Sequence, residues 1–187
     1  MKTINKVLII ILALSFSSCA RKNTKVEFQN TTQSPEYIAN KVIDEFLTHT
    51  DFSIYPSDQF YAVHYAEVCT AFGALRISEV KYNKEVVEQI YQRYLKIITD
   101  SIPITGGHVD ANVYGILPLE LYILTKDERF LKQGLKFADE QWDNPLENGM
   151  TNQTRYWIDD VYMIGSLQTQ AYRATKNEIY LERAALQ

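Results

Sequence analysis

Residues 122–131 read YILTKDERFL and residues 172–181 read YRATKNEIYL, so one pattern returns after 50 residues. A period of that size is the mark of stacked helix pairs, because one pair cannot bury its apolar face alone and its neighbours must complete the core. Carried back up the chain, the same offset sets Asp110 opposite Asp160, with Asp159 one residue away. The spacing therefore predicts carboxylates at matching helix starts of neighbouring hairpins, where the helix dipole and the free N–H groups favour the ionised acid.

Outward from the repeat, apolar residues recur at helical spacing along most of the chain. Ser34-Pro35-Glu36 opens a helix that carries Ile38, Val42, Ile43 and Phe46 and ends near His49. A second helix is expected from about Gln59 to Val80, with Tyr61, Tyr65, Val68, Phe72 and Leu75 on one stripe. A third is expected from about Asn83 to Thr99, with Val86, Ile90, Tyr94 and Ile97. The Thr105-Gly106-Gly107 turn precedes a fourth helix from Asp110 to Leu124, and a fifth follows Thr125-Lys126-Asp127 and ends near Trp142, ahead of Asn144-Pro145. A sixth runs from Asp159 to about Ala174, and a seventh begins after Lys176 and is unfinished at Gln187. No stretch alternates apolar and polar residues as a half-buried strand would, so the fold class is all-α.

The second, fourth and sixth of these helices are apolar nearly all round, whereas the first, third and fifth carry a charged face. That asymmetry predicts an inner and an outer layer. Such alternation fits an open solenoid or a closed α/α toroid whose inner helices surround a central pocket. A ring of six pairs needs on the order of 300 residues at this period, so a toroid of the six-hairpin type would be about half present here.

The amino terminus has another character. Lys2 and Lys6 precede an apolar run from Val7 to Phe16, followed by Ser17, Ser18 and Cys19. The run is too short to span a bilayer comfortably and has the flanks of a secretory signal. Ending on a cysteine, residues 1–18 resemble a bacterial lipoprotein signal peptide, with Cys19 the lipidated first residue of the mature chain. Residues 19–34 then read as a flexible polar tether and residues 35–187 as the folded domain. The expected place is the bacterial cell envelope, with a lipid anchor as the sole membrane attachment. Cys69 is left without an intrachain partner and reads as a small buried hydrophobe.

A net charge of −4 and the absence of a basic stripe argue against nucleic acid as a partner. The three His and two Cys have no metal-ligand spacing, and no phosphate-binding glycine loop occurs, so neither a metal nor a cofactor is expected. The 13 Tyr, with Trp142 and Trp157, suit either helix packing or a surface that stacks on sugar rings.

Two segments concentrate the chemistry: residues 107–115, GHVDANVYG, and residues 151–163, TNQTRYWIDDVYM. Each leads from a glycine-containing loop into an inner helix with Asp in its first turn. One such Asp serves as a cap, but Asp159 and Asp160 are adjacent, and a single cap suffices. When two acids share a site, the first ionises readily and the second holds its proton to higher pH, which prepares one as base and the other as acid. Trp157, Tyr156, Tyr162, Arg155 and His108 surround the same helix starts with stacking faces, a cation and hydrogen-bond donors. His108 serves equally well as a plain loop donor.

At these residues the sequence resembles a family. Trp157-Ile158-Asp159-Asp160-Val161-Tyr162-Met163 is similar to the Trp-x-Asp-x-x-Tyr-Met segment of unsaturated glucuronyl and rhamnogalacturonyl hydrolases, glycoside hydrolase families 88 and 105. Val109-Asp110-Ala111-Asn112 resembles the segment that carries the family's other aspartate. The resemblance implies a six-fold α/α toroid and an unsaturated oligosaccharide as substrate. The implied reaction releases the 4,5-unsaturated uronic acid that polysaccharide lyases leave at a non-reducing end, by hydrating its vinyl ether instead of displacing at the anomeric carbon. It implies Asp159 as general acid and base, Asp110 as its companion, Trp157 stacking on the ring and Asn112 hydrogen-bonding it. Arg155, by charge and position, suggests a partner for the substrate's carboxylate. The repeat register pairs Asp110 with Asp160 while the resemblance selects Asp159, so Asp160 stays as the alternative acid.

Two rival readings stand beside this one. One is a non-catalytic helical-repeat lipoprotein that binds a glycan or protein through its concave face; the other is a truncated enzyme holding the amino-terminal half of its ring, to which the end in mid-helix at Gln187 points. The lipoprotein reading predicts that cells fed a labelled fatty acid incorporate it into this chain and that Cys19→Ser abolishes the label. Label that survives the substitution removes the anchor.

Overall fold

The computed structural model describes residues 31–49, 54–57, 60–63, 65–99 and 108–187. The predicted signal peptide, Cys19, most of the tether and the Thr105-Gly106-Gly107 turn lie outside them. The chain divides into two compact units, Met1–Ile38 and Ala39–Gln187. In the first, Thr31–Gln33 form one 3-10 turn at the end of the predicted tether, and the Ser34 hydroxyl accepts the Tyr37 N–H at 3.1 Å. That cap, with Pro35 in the first helical position, starts helix α1, Pro35–Thr48.

The second unit continues α1 and adds β1 Ile54–Ser57, β2 Phe60–Val63, α2 Tyr65–Lys81, α3 Lys84–Thr99, α4 Val109–Asn112, a 3-10 turn Val113–Gly115, α5 Ile116–Thr125, α6 Glu128–Glu140, α7 Asp160–Thr175 and α8 Ile179–Leu186. The class is all-α, with one correction. β1 and β2 pair antiparallel, Ile54 opposite Val63 and Ser57 opposite Phe60, so the second helix starts at Tyr65 and not near Gln59. The strand residues are rich in β-branched and aromatic types, and Pro56 is tolerated because a two-stranded ribbon is all edge. Helical spacing between Tyr61 and Tyr65 was coincidental there.

Hairpin mates α2–α3, α5–α6 and α7–α8 pack together, and α2, α5 and α7 also pack in succession. This is the inner layer that the apolar composition of those helices predicts. All six residues from Ile116 to Leu121 in α5 are buried, whereas α6 buries only Phe130, Gly134, Phe137 and Ala138. In the outer α1, Ile43 and Phe46 are buried but Val42 is exposed. Tyrosines fill much of the space between layers: Tyr94 stacks on Tyr114 with centroids 5.5 Å apart, and Phe130 and Phe137 meet those rings edge-on.

The 50-residue repeat is a repeated turn. Lys126 and Lys176 adopt left-handed conformations, φ 63° and 62°, and their N–H groups return to Tyr122 O and Tyr172 O. Thr125 and Thr175 each donate to the carbonyl four residues back and accept the N–H two residues on, from Asp127 and Asn177. Asp127 and Asn177 then take the N–H groups of Arg129 and Ile179 and so start the next helix. One tripeptide closes the inner helix and opens the outer one.

Close packing within the layers depends on missing side chains. A Cβ on Gly115 would stand 2.7 Å from Leu167 Cδ1 and 2.9 Å from Phe137 Cβ, while one on Gly165, 50 residues on, would meet nothing within 4 Å. Alanine at these equivalent positions is predicted to act in opposite directions. Gly115→Ala costs about 1–3 kcal/mol by overpacking, and Gly165→Ala gains up to about 1 kcal/mol from helix propensity. Urea denaturation followed by circular dichroism measures both; equal shifts of one sign would refute the close approach.

Candidate active site

The loop between α6 and α7 is fixed before it delivers any functional group. The Thr151 hydroxyl, fully buried, donates to the Gln141 carbonyl and accepts the Gln153 N–H at 3.2 Å. The Trp142 indole donates to Gly149 O at 3.1 Å, and Gly149 turns the chain with φ 83°. Tyr156 is also left-handed, φ 60°, a conformation that costs an aromatic residue on the order of 1–3 kcal/mol. The bend brings two backbone donors onto one carboxylate oxygen: Asp160 Oδ2 accepts the N–H of Arg155 at 2.7 Å and of Trp157 at 3.2 Å.

Arg155 is the centre of the site. Its Nε donates to Asp160 Oδ1 at 2.8 Å, its Nη2 to Asp159 Oδ2 at 2.8 Å, and its Nη1 stands 3.8 Å from Asp110 Oδ1. The two carboxylates that the repeat sets 50 residues apart thus share one guanidinium. Sequence reasoning reserved Arg155 for the substrate's carboxylate; in the fold, its donors face three carboxylates of the protein itself. Its Cζ also lies 4.7 Å from the centre of the Trp157 ring, which holds one face of an indole that is otherwise 63% exposed.

Adjacent in sequence, Asp159 and Asp160 are opposite in environment. The Asp160 side chain is 2% exposed and both its oxygens are engaged, whereas that of Asp159 is 48% exposed and its Oδ1 has no bond among the described residues. Asp110, at the start of α4, is 41% exposed, and its N–H donates to His108 Nδ1 at 3.2 Å. Asn112 is fully buried, and its amide N–H donates to Gln153 Oε1. Tyr162, on α7 one turn after Asp159, meets Cys69 of α2, with Oη and Sγ 3.4 Å apart. Cys69 is therefore half-buried and hydrogen-bonded, not the sealed hydrophobe its apolar neighbours suggest. A cleft of about 380 Å3 opens beside Trp157, walled by Tyr156, Ile158 and Val161.

The electrostatics follow the contacts. Burial raises the Asp160 carboxyl, but the Arg155 side chain and the two backbone N–H groups outweigh it and hold the group below the ordinary carboxylate value. Burial, with Cys69 next to it, pushes the Tyr162 phenol up to about 12, so it stays protonated through the neutral range. Burial disfavours the Arg155 cation, yet Asp160 and then Asp159 restore it and raise its pKa.

Sequence reasoning missed Gln153 and Glu120. Gln153 sits in a polar loop where nothing distinguishes it from Asn152 or Thr154. Glu120 had a signal, a lone carboxylate inside the apolar run of α5; it is fully buried and takes Arg76 at 3.1 Å, Arg173 at 2.7 Å and Gln170, the last again 50 residues on.

The depressed Asp160 gives a prediction with a sign. A carboxyl whose folded pKa lies below its unfolded value stabilises the fold above about pH 4 and loses that contribution as pH falls through the folded value. Asp160→Asn is predicted to cost about 3 kcal/mol at pH 7, since it leaves Arg155 half-paired, and the deficit against wild type should shrink below about pH 4. Denaturation midpoints at several pH values test this; a deficit that does not vary with pH contradicts it.

Comparison with known proteins gives one match. The family model of Glycosyl Hydrolase Family 88 matches residues 38–187, which contain every element from α2 to α8 and both aspartate segments. No curated protein matches the chain, and no solved structure does. The match spans most of the chain, and the resemblance at Trp157–Met163 points to the same family: the protein belongs to Glycosyl Hydrolase Family 88 and is a glycosidase of the unsaturated uronyl hydrolase kind.

Proposed function

We propose that this chain releases 4,5-unsaturated uronic acid from lyase-generated oligosaccharides by hydrating the vinyl ether, with Asp159 as the general acid and base. The observation that carries the reading is the contrast between the two adjacent acids: Asp160 has both oxygens engaged in the interior, while Asp159, half-exposed, has no partner for Oδ1 among the described residues. Protonated Asp159 gives its proton to C4. Water then adds at C5 and returns a proton to the carboxylate, so the residue ends as it began. The hemiketal at C5 opens to a ketone as its hydroxyl proton passes to the ring oxygen and the C5–oxygen bond breaks, and the hemiacetal left at C1 collapses to an aldehyde and expels the rest of the saccharide as an alcohol.

In this scheme Arg155 orients the acid and does not grip the ligand. Its Nη2 bond to Oδ2 fixes the Asp159 rotamer and leaves Oδ1 for the substrate. Trp157 offers a stacking face, and Tyr162 a phenol that stays protonated to about pH 12. His108 Nδ1 accepts the Asp110 N–H, which orients its ring at the same helix start. The three hairpins would be consecutive hairpins of a six-hairpin ring, and the lipid on Cys19 would hold the enzyme at the cell envelope.

The test follows the ultraviolet absorbance of the vinyl ether during incubation with lyase-generated unsaturated oligosaccharides. The wild type is expected to consume it. Asp159→Asn is expected to lose on the order of 10²–10⁴ in kcat while its circular dichroism is unchanged. A near-normal rate in Asp159→Asn would remove Asp159 from the mechanism.

A further inference from the structure

The cleft beside Trp157 has no part in the Asp159 chemistry. Met150, Tyr156, Ile158 and Val161 give it apolar walls, and its volume of about 380 Å3 has room for one sugar ring. Thr154 and Gln187, its neutral polar members, hydrogen-bond to each other through Thr154 Oγ1 at 3.0 and 2.9 Å. Asp160 is the one charged residue of the lining, and both its oxygens are taken by Arg155 and Trp157. Within this lining Tyr156 is the side chain that packing does not account for. The backbone there is left-handed, φ 60°, because the residues on either side turn their N–H groups onto Asp160. Glycine or asparagine takes that conformation with less strain. An aromatic ring stands there instead, 72% exposed, and its hydroxyl has no hydrogen bond among the described residues. The core gains nothing from it, and the turn would form more easily without it.

We propose that Tyr156 is a specificity-determining residue: its ring and the cleft it walls hold the sugar that follows the unsaturated uronic acid, and they select an uncharged one. The inference rests on the function proposed above. Distance makes the link. Asp159 Oδ2 and Asp160 Oδ1 both lie 2.8 Å from Arg155 Nη2, so the acid and a wall of the cleft are closer together than the two rings of a disaccharide extend. A sugar ring presents a face of C–H groups, which an aromatic ring and aliphatic walls cover without any partner charge. A sulfate or a second carboxylate is received differently. The carboxylates of Asp110, Asp159 and Asp160 already face the one Arg155 guanidinium, so an anion entering the cleft meets negative charge and no cation in the lining. The uronate's own carboxylate is common to every substrate and cancels from the comparison.

Three substrates with the same unsaturated uronate test this on the full chain: a methyl uronide with no second sugar, a disaccharide with a neutral second sugar, and one whose second sugar is sulfated. The wild type is expected to process the neutral disaccharide with kcat/KM about fivefold above the methyl uronide and about tenfold above the sulfated disaccharide. Tyr156→Asn removes the ring and suits the turn, and it is expected to lower the neutral-over-methyl ratio about fivefold, while Tyr156→Phe is expected to keep it. Each ratio is read on one preparation, so a loss of folded protein does not alter it. A ratio unchanged in Tyr156→Asn, or lost equally in Tyr156→Phe, overturns the inference, as does a sulfated disaccharide that matches the neutral one. A wild type that consumes none of the three removes the functional reading and this inference together, whereas turnover of all three without preference removes the inference alone.

Discussion

A carboxylate buried to the extent of Asp160 keeps its charge only because Arg155 and two backbone N–H groups meet it. Transfer of an unpaired carboxylate into a protein interior costs several kcal/mol. Here three hydrogen bonds from two residues, Arg155 and Trp157, converge on its two oxygens, and the group titrates below its ordinary range despite its burial. That compensation requires the backbone from Arg155 to Trp157 to take one particular path, including the left-handed Tyr156. The path in turn sets where Trp157 and Asp159 stand.

One ion pair thereby divides labour between two identical side chains. Asp160 is the anchor that ties the loop to the start of α7, and its engagement leaves it no lone pair or proton to offer a ligand. Asp159 gains orientation from the same guanidinium without being enclosed by it. Asp110 reaches Arg155 from α4, so the beginnings of two consecutive inner segments are coupled through one cation.

The opposite end of the inner layer has its own polar pin. Glu120 of α5 binds Arg76 of α2 and Gln170 and Arg173 of α7, so it bridges all three inner helices at a point sealed from solvent. Between the two pins the inner helices meet through apolar side chains, and Gly115 brings the backbone within contact of Leu167 and Phe137. A buried carboxylate with a full set of donors adds directional constraint to a layer that hydrophobic burial alone holds without preferred register.

The helix pairs and their period were legible because they are local. The tripeptides Thr125-Lys126-Asp127 and Thr175-Lys176-Asn177 hold the left-handed turn, the hydroxyl and the cap that end one helix and start the next, all within neighbouring residues. Apolar spacing misled at Tyr61, where four residues of strand are too short for a period to show. The aspartate-bearing segments were legible from their aromatic and polar company, but their division of roles was not. Asp159 and Asp160 are the same residue type in adjacent positions, and Gln153 looks like any polar loop residue. By itself the sequence determined the all-α hairpins, their offset and the segments that carry the chemistry, because turns, caps and periodicity act over a few residues. Only the tertiary structure decided which carboxylate is sealed, which is free, and that Asn112 reaches Gln153, because burial and long-range hydrogen bonds depend on where distant segments meet.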